Sequence, residues 1–531
     1  MRRTHFNLLA ALVAVAVLSI PAFAGEKVFV YGTTVEPRTI DPVINTAVDG
    51  SQLIYNMFEG LLRTNFEDKA EPGCAESWDV SEDHLTWTFH LRPGLKWHDG
   101  SPLTAEHFRY GFLRVVDPEV ASPNAYLAYA IRNAEKFYRG ECSADDVGVT
   151  ALDDRTLRVE LEYFDPLMED HMAFHAFVPA KPEVVEANPR SWAASPETII
   201  CNGPFYLSGW SHNAEIIMTK NPYYWDADNV KIDGVRNVII PDANTMLAAF
   251  RSGRVDFFKN PPSILKASLL ASGEAKTVNT LGVNFSVFNV NEPPFDDVRV
   301  RKAFALAIDR ELITEKVTMA GEIPATGYIP AKVPGPSTAK DFRSAGKVWF
   351  GPNADVAEAK RLLAEAGYPD AKGFPHVTYK YNSSDVNKAL AEALQGMWKQ
   401  NLGIEVELYT EEWKVFISTR RMGNFQLARH GDMVDFPDPS SLMDKWVTGT
   451  VDNVAGYNNP EYDRLVIAAR SEPDYDKRMG YFLKAEDLLM NDMVVIPICY
   501  YATPYMVSPR VRGMYTSPRN RDNFRHIELV E

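Results

Sequence analysis

Cysteine is scarce in this chain, with 4 residues in 531. The spacing between them is wide and no CxxC pair occurs, so the sequence indicates neither a metal centre nor a redox motif. Three disulfide connectivities are possible for four cysteines, and four unpaired, mostly buried thiols are equally compatible with the sequence. The residues concerned are Cys74, Cys142, Cys201 and Cys499.

The motifs of common hydrolases and nucleotide-dependent enzymes are missing as well. The chain has no GxSxG, no HExxH and no P-loop. His171 and His175 are spaced like two metal ligands on one helix face, but no third ligand is indicated, and we interpret them as a surface or core pair. Without a nucleophile and a base to name, the sequence predicts a binding protein with no cofactor and no metal, not an enzyme.

Long apolar runs are absent except at the N-terminus. Arg2 and Arg3 precede an apolar stretch over 6–20, and residues 22–24 supply the small–x–small pattern of a signal peptidase site. The stretch is short for a membrane span, and no cysteine follows it that could carry a lipid. We therefore predict a signal peptide over 1–24, cleavage after Ala24 and a mature protein in the periplasm.

Positive charge is in deficit. The chain carries 55 Lys and Arg against 71 Asp and Glu, which gives a formal net charge of −16. An acidic surface disfavours nucleic acids and anionic membranes as partners. The length exceeds what one hydrophobic core normally serves, so two or three lobes are expected.

Strand and helix patterns alternate along the chain. Residues 85–91 alternate between apolar and polar, as a half-buried strand does, and 157–163 repeat the pattern. Residues 244–252 predict a helix that stops at Gly253, and 255–258 predict a strand after it.

The second half is richer in predicted helices. Asn353 is the predicted N-cap of a helix that ends before Gly367. Strands are predicted over 377–381 and 404–409, on either side of a helix from about 386 to 401. Strands that alternate with helices indicate an α/β lobe with a partly parallel sheet.

Three segments combine turn, strand and helix signals in a fixed order. In 97–108, Gly100 predicts a turn and Thr104 the cap of a helix. Residues 202–225 form a turn-and-strand system, and 293–303 lead from a loop into a helix. Each segment alone is a weak signal.

Together, these segments resemble the family 5 extracellular solute-binding proteins, which are the dipeptide, oligopeptide and nickel receptors of ABC importers. The resemblance covers essentially the whole chain after the predicted signal peptide. Within the family, the oligopeptide receptors are the most similar, through 412–414 and 425–439. Further matching positions are Asp41-Pro42, Phe58-Glu59-Gly60-Leu61, Glu76-Ser77-Trp78, Asn202-Gly203, 295–301, 362–367 and Pro497.

The resemblance implies an α/β fold of the periplasmic binding protein type II-like kind. Two lobes close on a hinge over the ligand, and an extra α/β domain is attached. Carried onto this chain, domain I comprises 25–58, 184–281 and 500–531, domain II (the extra domain) 59–183, and domain III (the second lobe) 282–499.

The resemblance also implies which residues hold a peptide. A free peptide carries an ammonium and a carboxylate, and burial of either charge requires an opposite charge in the site. Asp435 aligns with the family aspartate that pairs with the α-ammonium, and its alternative is a solvated loop acid. Arg420 and Arg429 align with arginines near the carboxylate end, or else form salt bridges within domain III. Trp413 and Tyr501 align with pocket-lining aromatics, with core packing as the alternative.

Several family site positions hold other residues in this chain. Val48 still aligns with a backbone contact. A family acid is Thr46, a lysine and a histidine that can take the carboxylate are Thr318 and Asn387, a tyrosine is Asn124, a tryptophan is Asp432, and a cysteine pair is Met433 and Gly282. The loss of two cationic partners leaves the preferred peptide length open. Asp432 either favours basic ligand side chains or sits in solvent.

The function that the resemblance implies is capture of short peptides for an inner-membrane ABC permease with its ATPase, by a monomeric receptor. Alternatives are the same fold with another solute, such as a cell-wall peptide, a nickel chelate, haem or a sugar. A signalling or chaperone role and a secreted peptidase are further alternatives. Asp435 discriminates among the solutes, because a ligand without a free α-amino group has no use for it.

Overall fold

The structure is a computed structural model that describes residues 26–66, 68–519 and 521–530. The predicted signal peptide and its cleavage after Ala24 lie outside these residues. In the described part of the chain, no helix is both long and apolar enough to cross a membrane. The names domain I, II and III are kept below for the segments given above.

The described residues form nineteen strands. They are β1 (Val28–Thr33), β2 (Leu62–Thr64), β3 (Ala70–Pro72), β4 (Ala75–Val80), β5 (Thr86–Leu91), β6 (Val149–Asp153), β7 (Thr156–Glu160), β8 (Phe205–Ser211), β9 (Glu215–Lys220), β10 (Gly234–Ile239), β11 (Phe257–Lys259), β12 (Lys276–Phe288), β13 (Ile323–Pro324), β14 (Val377–Asn382), β15 (Val406–Glu411), β16 (Leu427–Met433), β17 (Val495–Val507), β18 (Val511–Arg512) and β19 (Glu528–Leu529).

The same residues form sixteen α-helices. They are α1 (Val48–Met57), α2 (Ala105–Val116), α3 (Ala134–Tyr138), α4 (Met168–Met172), α5 (Pro182–Ala187), α6 (Ala243–Arg251), α7 (Lys266–Ser272), α8 (Val298–Leu306), α9 (Arg310–Leu312), α10 (Phe342–Ala345), α11 (Val356–Glu365), α12 (Asp385–Leu402), α13 (Trp413–Arg421), α14 (Ser440–Met443), α15 (Pro460–Arg470) and α16 (Tyr475–Asn491). A π-helical turn, Ile313–Thr318, follows α9.

Eleven strands form one large sheet that continues through both lobes. Its order is β15-β14-β16-β12-β17-β11-β1-β10-β9-β8, and β13 pairs with β17. β14 and β15 pair in parallel around α12, as the strand–helix–strand pattern predicts. The β12–β17 ladder is interrupted between Asn279 and Val283. The predicted boundaries at 281/282 and 499/500 fall inside these two strands.

Domain II carries a separate antiparallel sheet, in the order β4-β5-β7-β6, with α2 packed against β6 and β7. The alternation predicted for β5 is confirmed, because Trp87, Phe89 and Leu91 are buried while their neighbours are less so. The predicted cap of α2 is also confirmed: Thr104 and His107 form a reciprocal capping box.

Two main hydrophobic cores account for the two-lobed shape. One is shared by domains I and II and includes Phe29, Phe89 and Phe177. The other lies within domain III, around Phe304 and Trp398, and a small third core lies beneath α6. The predicted α/β fold, with two lobes and an extra domain, is confirmed.

Some local predictions need correction. Asn353 does not cap α11, because the helix begins only at Val356; the side-chain amide of Asn353 donates to Glu311 over 3.0 Å instead. The cap is Asp355, whose carboxylate accepts the amide of Glu358 over 3.1 Å. The strand predicted over 157–163 ends at Glu160.

The histidine pair and the cysteines have structural settings. α4 ends before His175, so the two histidines do not share one helix. His171 pairs with Asp165 over 2.8 Å, and His175 Nδ1 lies 2.9 Å from the carbonyl of Pro42. The interpretation as a core pair is confirmed, since both are buried. All four cysteine thiols are free.

Candidate functional site

The loop after β16 runs from domain III to the hydrophobic core that domains I and II share. The backbone amides of Asp435 and Phe436 donate to Ser441 Oγ over 3.0 and 3.2 Å. The Phe436 ring belongs to the core of domains I and II, where its centroid lies 4.7 Å from that of His171 and 5.6 Å from that of Phe174. Phe436 therefore fixes the loop between the lobes, and Asp435 lies at the base of the cleft.

A cavity of about 320 Å³ opens beside this loop. All three domains contribute to its wall, through residues that include Thr46, Val48, Asn124, Tyr126, Met433 and Asp435. The Asn124 side-chain amide donates to the carbonyls of Val43 and Asn45, each over 3.1 Å, and so ties domain II to the start of domain I. Five residues predicted from the sequence thus meet in one cavity.

Asp435 presents a carboxylate without a partner to this cavity. Among the described residues, it accepts no side-chain hydrogen bond and forms no ion pair. Although the side chain is open to the cavity, the surrounding protein desolvates it, which raises the pKa of Asp435 above its ordinary value. The charges of Arg521 and Lys445 oppose that rise. A carboxylate in this setting is stabilised by an incoming cation.

A second cavity, of about 290 Å³, lies next to the first along β16. Gly431 and Asp432 line the second cavity, and the next residue, Met433, lines the first. Trp413 and Arg420, both on α13, also line the second cavity. The residues at the end of β16 therefore border both cavities, and the second cavity brings in three more predicted residues.

Arg420 lines the second cavity and Arg429 lines neither of the two, and neither arginine forms an ion pair with an acid among the described residues. Arg420 is 7% exposed, and its single side-chain hydrogen bond among the described residues is a long one, 3.4 Å, to the carbonyl of Arg429. Arg429 donates to the Tyr501 hydroxyl over 2.8 Å, and the Nε atoms of both arginines lack partners. The salt bridges considered as an alternative are not formed among the described residues. Burial lowers the pKa of Arg420 to about 10.

Asp432 is neutralised from within the protein. Its carboxylate lies 2.8 Å from Lys445 Nζ, and the side chain is 16% exposed, so it does not sit in solvent. Burial would raise the pKa of Asp432, but the charge of Lys445 and its neighbours brings it below the ordinary value. A preference for basic ligand side chains stays a prediction, because Lys445 already balances this acid.

Tyr501 packs against the glycines of the adjacent strands. Gly282 and Met433 are cross-strand partners in β12 and β16, which is where the family's cysteine pair is expected from the resemblance. A Cβ on Gly282 would lie 2.9 Å from the Tyr501 ring. The glycine thus allows Tyr501 to lie close to the β12–β16 ladder, and Tyr501 lines neither cavity, so its predicted role in lining the pocket stays a prediction.

Thr318 and Asn387 do not line either cavity, as far as the described residues show. The Asn387 side-chain amide donates to the Asn382 Oδ1 over 3.0 Å, and Thr318 ends the π-helical turn. Both are buried, and α12 packs against that turn. Their predicted role at a ligand carboxylate therefore stays a prediction.

Several cavity residues were not predicted from the sequence, and three of them carry polar groups that bear on ligand binding. Tyr126 lines the first cavity, where burial and the charge of Asp435 raise its pKa to about 12. Arg519 and Arg521 reach the same cavity from the C-terminal segment. The sequence signal that could have found Tyr126 is an aromatic two residues after Asn124, and for the arginines it is the basic run after Pro518.

The largest cavity, of about 750 Å³, lies elsewhere. Residues 34–41, 190–194 and 210–213 of domain I line it. Its carboxylates are already paired: Glu36 accepts from the Trp210 ring over 2.6 Å, and Asp41 pairs with Arg114 and Trp192. Because domain III contributes nothing to its lining, we place the candidate site in the cleft instead.

A comparison with protein-family models decides the classification. The model described as "Bacterial extracellular solute-binding proteins, family 5 Middle" matches residues 69–453. The chain belongs to this family. The resemblance drawn from the sequence is confirmed.

Individual family members match over nearly the whole chain. The dipeptide-binding protein DppE of Bacillus subtilis is 36% identical over 497 residues, covering 93% of this chain and 90% of the relative. The periplasmic oligopeptide-binding protein OppA of Salmonella typhimurium is 35% identical over 530 residues, covering 97% and 96%. The unliganded open form of MppA, a periplasmic murein tripeptide-binding protein, superposes with a TM-score of 0.82 at 31% identity, covering 96% of this chain and 98% of that one.

Proposed function

We propose that this chain is an exported receptor that binds short peptides between its lobes and delivers them to an ABC permease with its ATPase, without a catalytic step. The observation that carries the proposal is the unpaired carboxylate of Asp435 in a cavity to which all three domains contribute. The names of the relatives, which bind dipeptides, oligopeptides and a murein tripeptide, support it.

The electrostatics of the cleft suit a zwitterion. Asp435 supplies a negative charge at one cavity, and Arg420, which forms no ion pair among the described residues, supplies a positive charge at the next. A peptide laid along β16 places its ammonium at Asp435 and its carboxylate toward Arg420. Each charged end of the peptide offsets the desolvation cost of the opposite charge in the protein, so both ends contribute to the affinity.

The first experiment is calorimetry with Asp435→Asn, which keeps the shape of the side chain and removes its charge. The buried ammonium then loses its partner, and we expect affinity to fall by about 2–5 kcal/mol, or about 30- to 5,000-fold. Asp228→Asn is the matched control, because Asp228 is exposed in domain I and lines neither cavity. Unchanged affinity in Asp435→Asn would remove the basis of the proposal.

Mass spectrometry of ligands released by denaturation of the purified protein tests the class of solute. We expect short peptides with free N-termini, recovered intact after prolonged incubation. Cleaved peptides would indicate a peptidase. A nickel chelate, haem or a sugar in place of peptides would show that the protein is a receptor for that other solute and not for peptides.

A further inference from the structure

Arg521 occupies an unusual position in the first cavity. Its guanidinium carbon lies 5.3 Å from the ring centroid of Tyr55 and 5.0 Å from that of Phe174. Its Nη2 donates to the backbone carbonyl of Asp435 over 2.8 Å. The two rings and this hydrogen bond fix a planar cation beside the residue proposed to bind the peptide's ammonium.

The charge of Arg521 is only partly offset within the protein, by the charges of Asp68 and Asp435, neither of which lies within ion-pair distance. Its Nη1 is buried and has no hydrogen-bond partner, and among the described residues no carboxylate forms an ion pair with it. Burial also lowers the pKa of Arg521. A buried donor without a partner is costly, so the cavity gains from a ligand atom that accepts from Nη1.

Arg519 differs from Arg521 although it lines the same cavity. Its guanidinium lies 3.7 Å from the Asp68 carboxylate and 3.9 Å from that of Asp170. Two acids therefore lie within ion-pair distance of Arg519, although its Nε and Nη1 also lack hydrogen-bond partners, whereas Asp435 and Arg521 form no ion pair among the described residues. The cavity wall thus offers opposite fixed charges close together.

We propose that Arg521 is a specificity-determining residue that binds an acidic side chain on the first residue of the peptide. This inference rests on the proposed function. The ligand class that matches the two charges is a peptide with N-terminal Asp or Glu, whose ammonium meets Asp435 while its side-chain carboxylate accepts from Arg521. A neutral first residue leaves Nη1 unsatisfied, and a basic one adds repulsion.

The test is calorimetry with three matched tripeptides, Glu-Ala-Ala, Gln-Ala-Ala and Lys-Ala-Ala. We expect the natural protein to prefer Glu-Ala-Ala over Gln-Ala-Ala by about 10-fold or more, since a charge-assisted hydrogen bond replaces an unsatisfied donor. Arg521→Gln should abolish this ratio, whatever the loss of its hydrogen bond to the Asp435 carbonyl does to the affinity for Gln-Ala-Ala. Asp435→Asn should weaken all three peptides and keep the ratio. Arg512→Gln, in an exposed residue away from the cavity, is the control.

Each outcome decides the inference. Equal affinities for the Glu and Gln peptides in the natural protein, or a ratio that survives in Arg521→Gln, would overturn the role of Arg521 and leave the proposed function intact. If no peptide binds, including those in a longer mixed library, the proposed function fails and this inference fails with it. If Arg521→Gln does not fold, the ratio in the natural protein decides alone.

Discussion

Replacement of Arg420 by methionine should stabilise the ligand-free protein while it weakens peptide binding. Arg420 is 7% exposed on α13 and has no ion pair among the described residues. Its charge is therefore held in the folded state without an ion pair, although the charges of Asp432 and Asp452 offset part of its desolvation. Methionine keeps an unbranched side chain and removes the charge, so the folded protein no longer carries the desolvation cost.

The magnitude follows from the pKa of Arg420, which burial lowers to about 10. The distance from the ordinary arginine value corresponds to about 3 kcal/mol of destabilisation of the charged form, as an upper bound. The variant also loses the 3.4 Å hydrogen bond to the carbonyl of Arg429, at a cost of about 1 kcal/mol. We therefore expect a net gain of about 1–2 kcal/mol in the free energy of unfolding.

The assay is thermal unfolding of protein freed of bound ligand. A lobe of about 200 residues shifts its Tm by about 2–4 °C per kcal/mol, so Arg420→Met should raise the Tm by about 2–8 °C. Arg478→Met is the matched control, because Arg478 is 3% exposed in the same domain and pairs with both oxygens of Asp438 over 2.6 and 2.8 Å. Its removal leaves a buried carboxylate unpaired and should cost about 3–5 kcal/mol. If both variants lose stability equally, the assignment of Arg420 as a charge without an ion pair is wrong.

Two further predictions concern Asp435 and Gly203. Peptide affinity should be fully present above the raised pKa of free Asp435 and should fall as the pH drops through that pKa, because protonation removes the partner of the peptide's ammonium. Calorimetry between pH 7 and 4 should show a flatter dependence of affinity on pH for Asp435→Asn. Identical pH profiles for the two proteins would contradict the assignment. Gly203→Ala should lower the Tm by an amount equivalent to about 1–3 kcal/mol, because its Cβ would lie 2.6 Å from the Met57 carbonyl carbon. Gly396→Ala, in α12 with open space around the Cβ, should instead raise the free energy of unfolding by about 0.5–1 kcal/mol. Equal shifts of the Tm in the two variants would refute the packing argument.

Local patterns predicted much of the fold because they depend on neighbours in sequence. The alternation in β5 and the helix α6 with its stop at Gly253, where φ is +74°, were both predicted from short windows. The N-cap of α11 was misplaced by two residues, since Asn353 and Asp355 are both good caps. Only the tertiary contact of Asn353 with Glu311 decides between them.

The site was predictable where the resemblance supplied an alignment, and not where distant segments meet. Asp435 and Asn124 were predicted by alignment, and the structure places them in one cavity. The charge balance at Asp432 depends on Lys445, and Arg521 arrives from the far end of the chain. No local sequence pattern predicts contacts between such distant residues, because these contacts arise only from the packing of the domains.

Two strands, β12 and β17, belong to both lobes, and each is 13 residues long. Ladder hydrogen bonds resist bending, so relative rotation of the lobes concentrates where the ladder is missing, between Asn279 and Val283. That interval includes Gly282, which contacts Tyr501 and Met433. A solute held beside these side chains would therefore lie at the point where we expect the lobes to rotate. We expect its size to determine how far the lobes close.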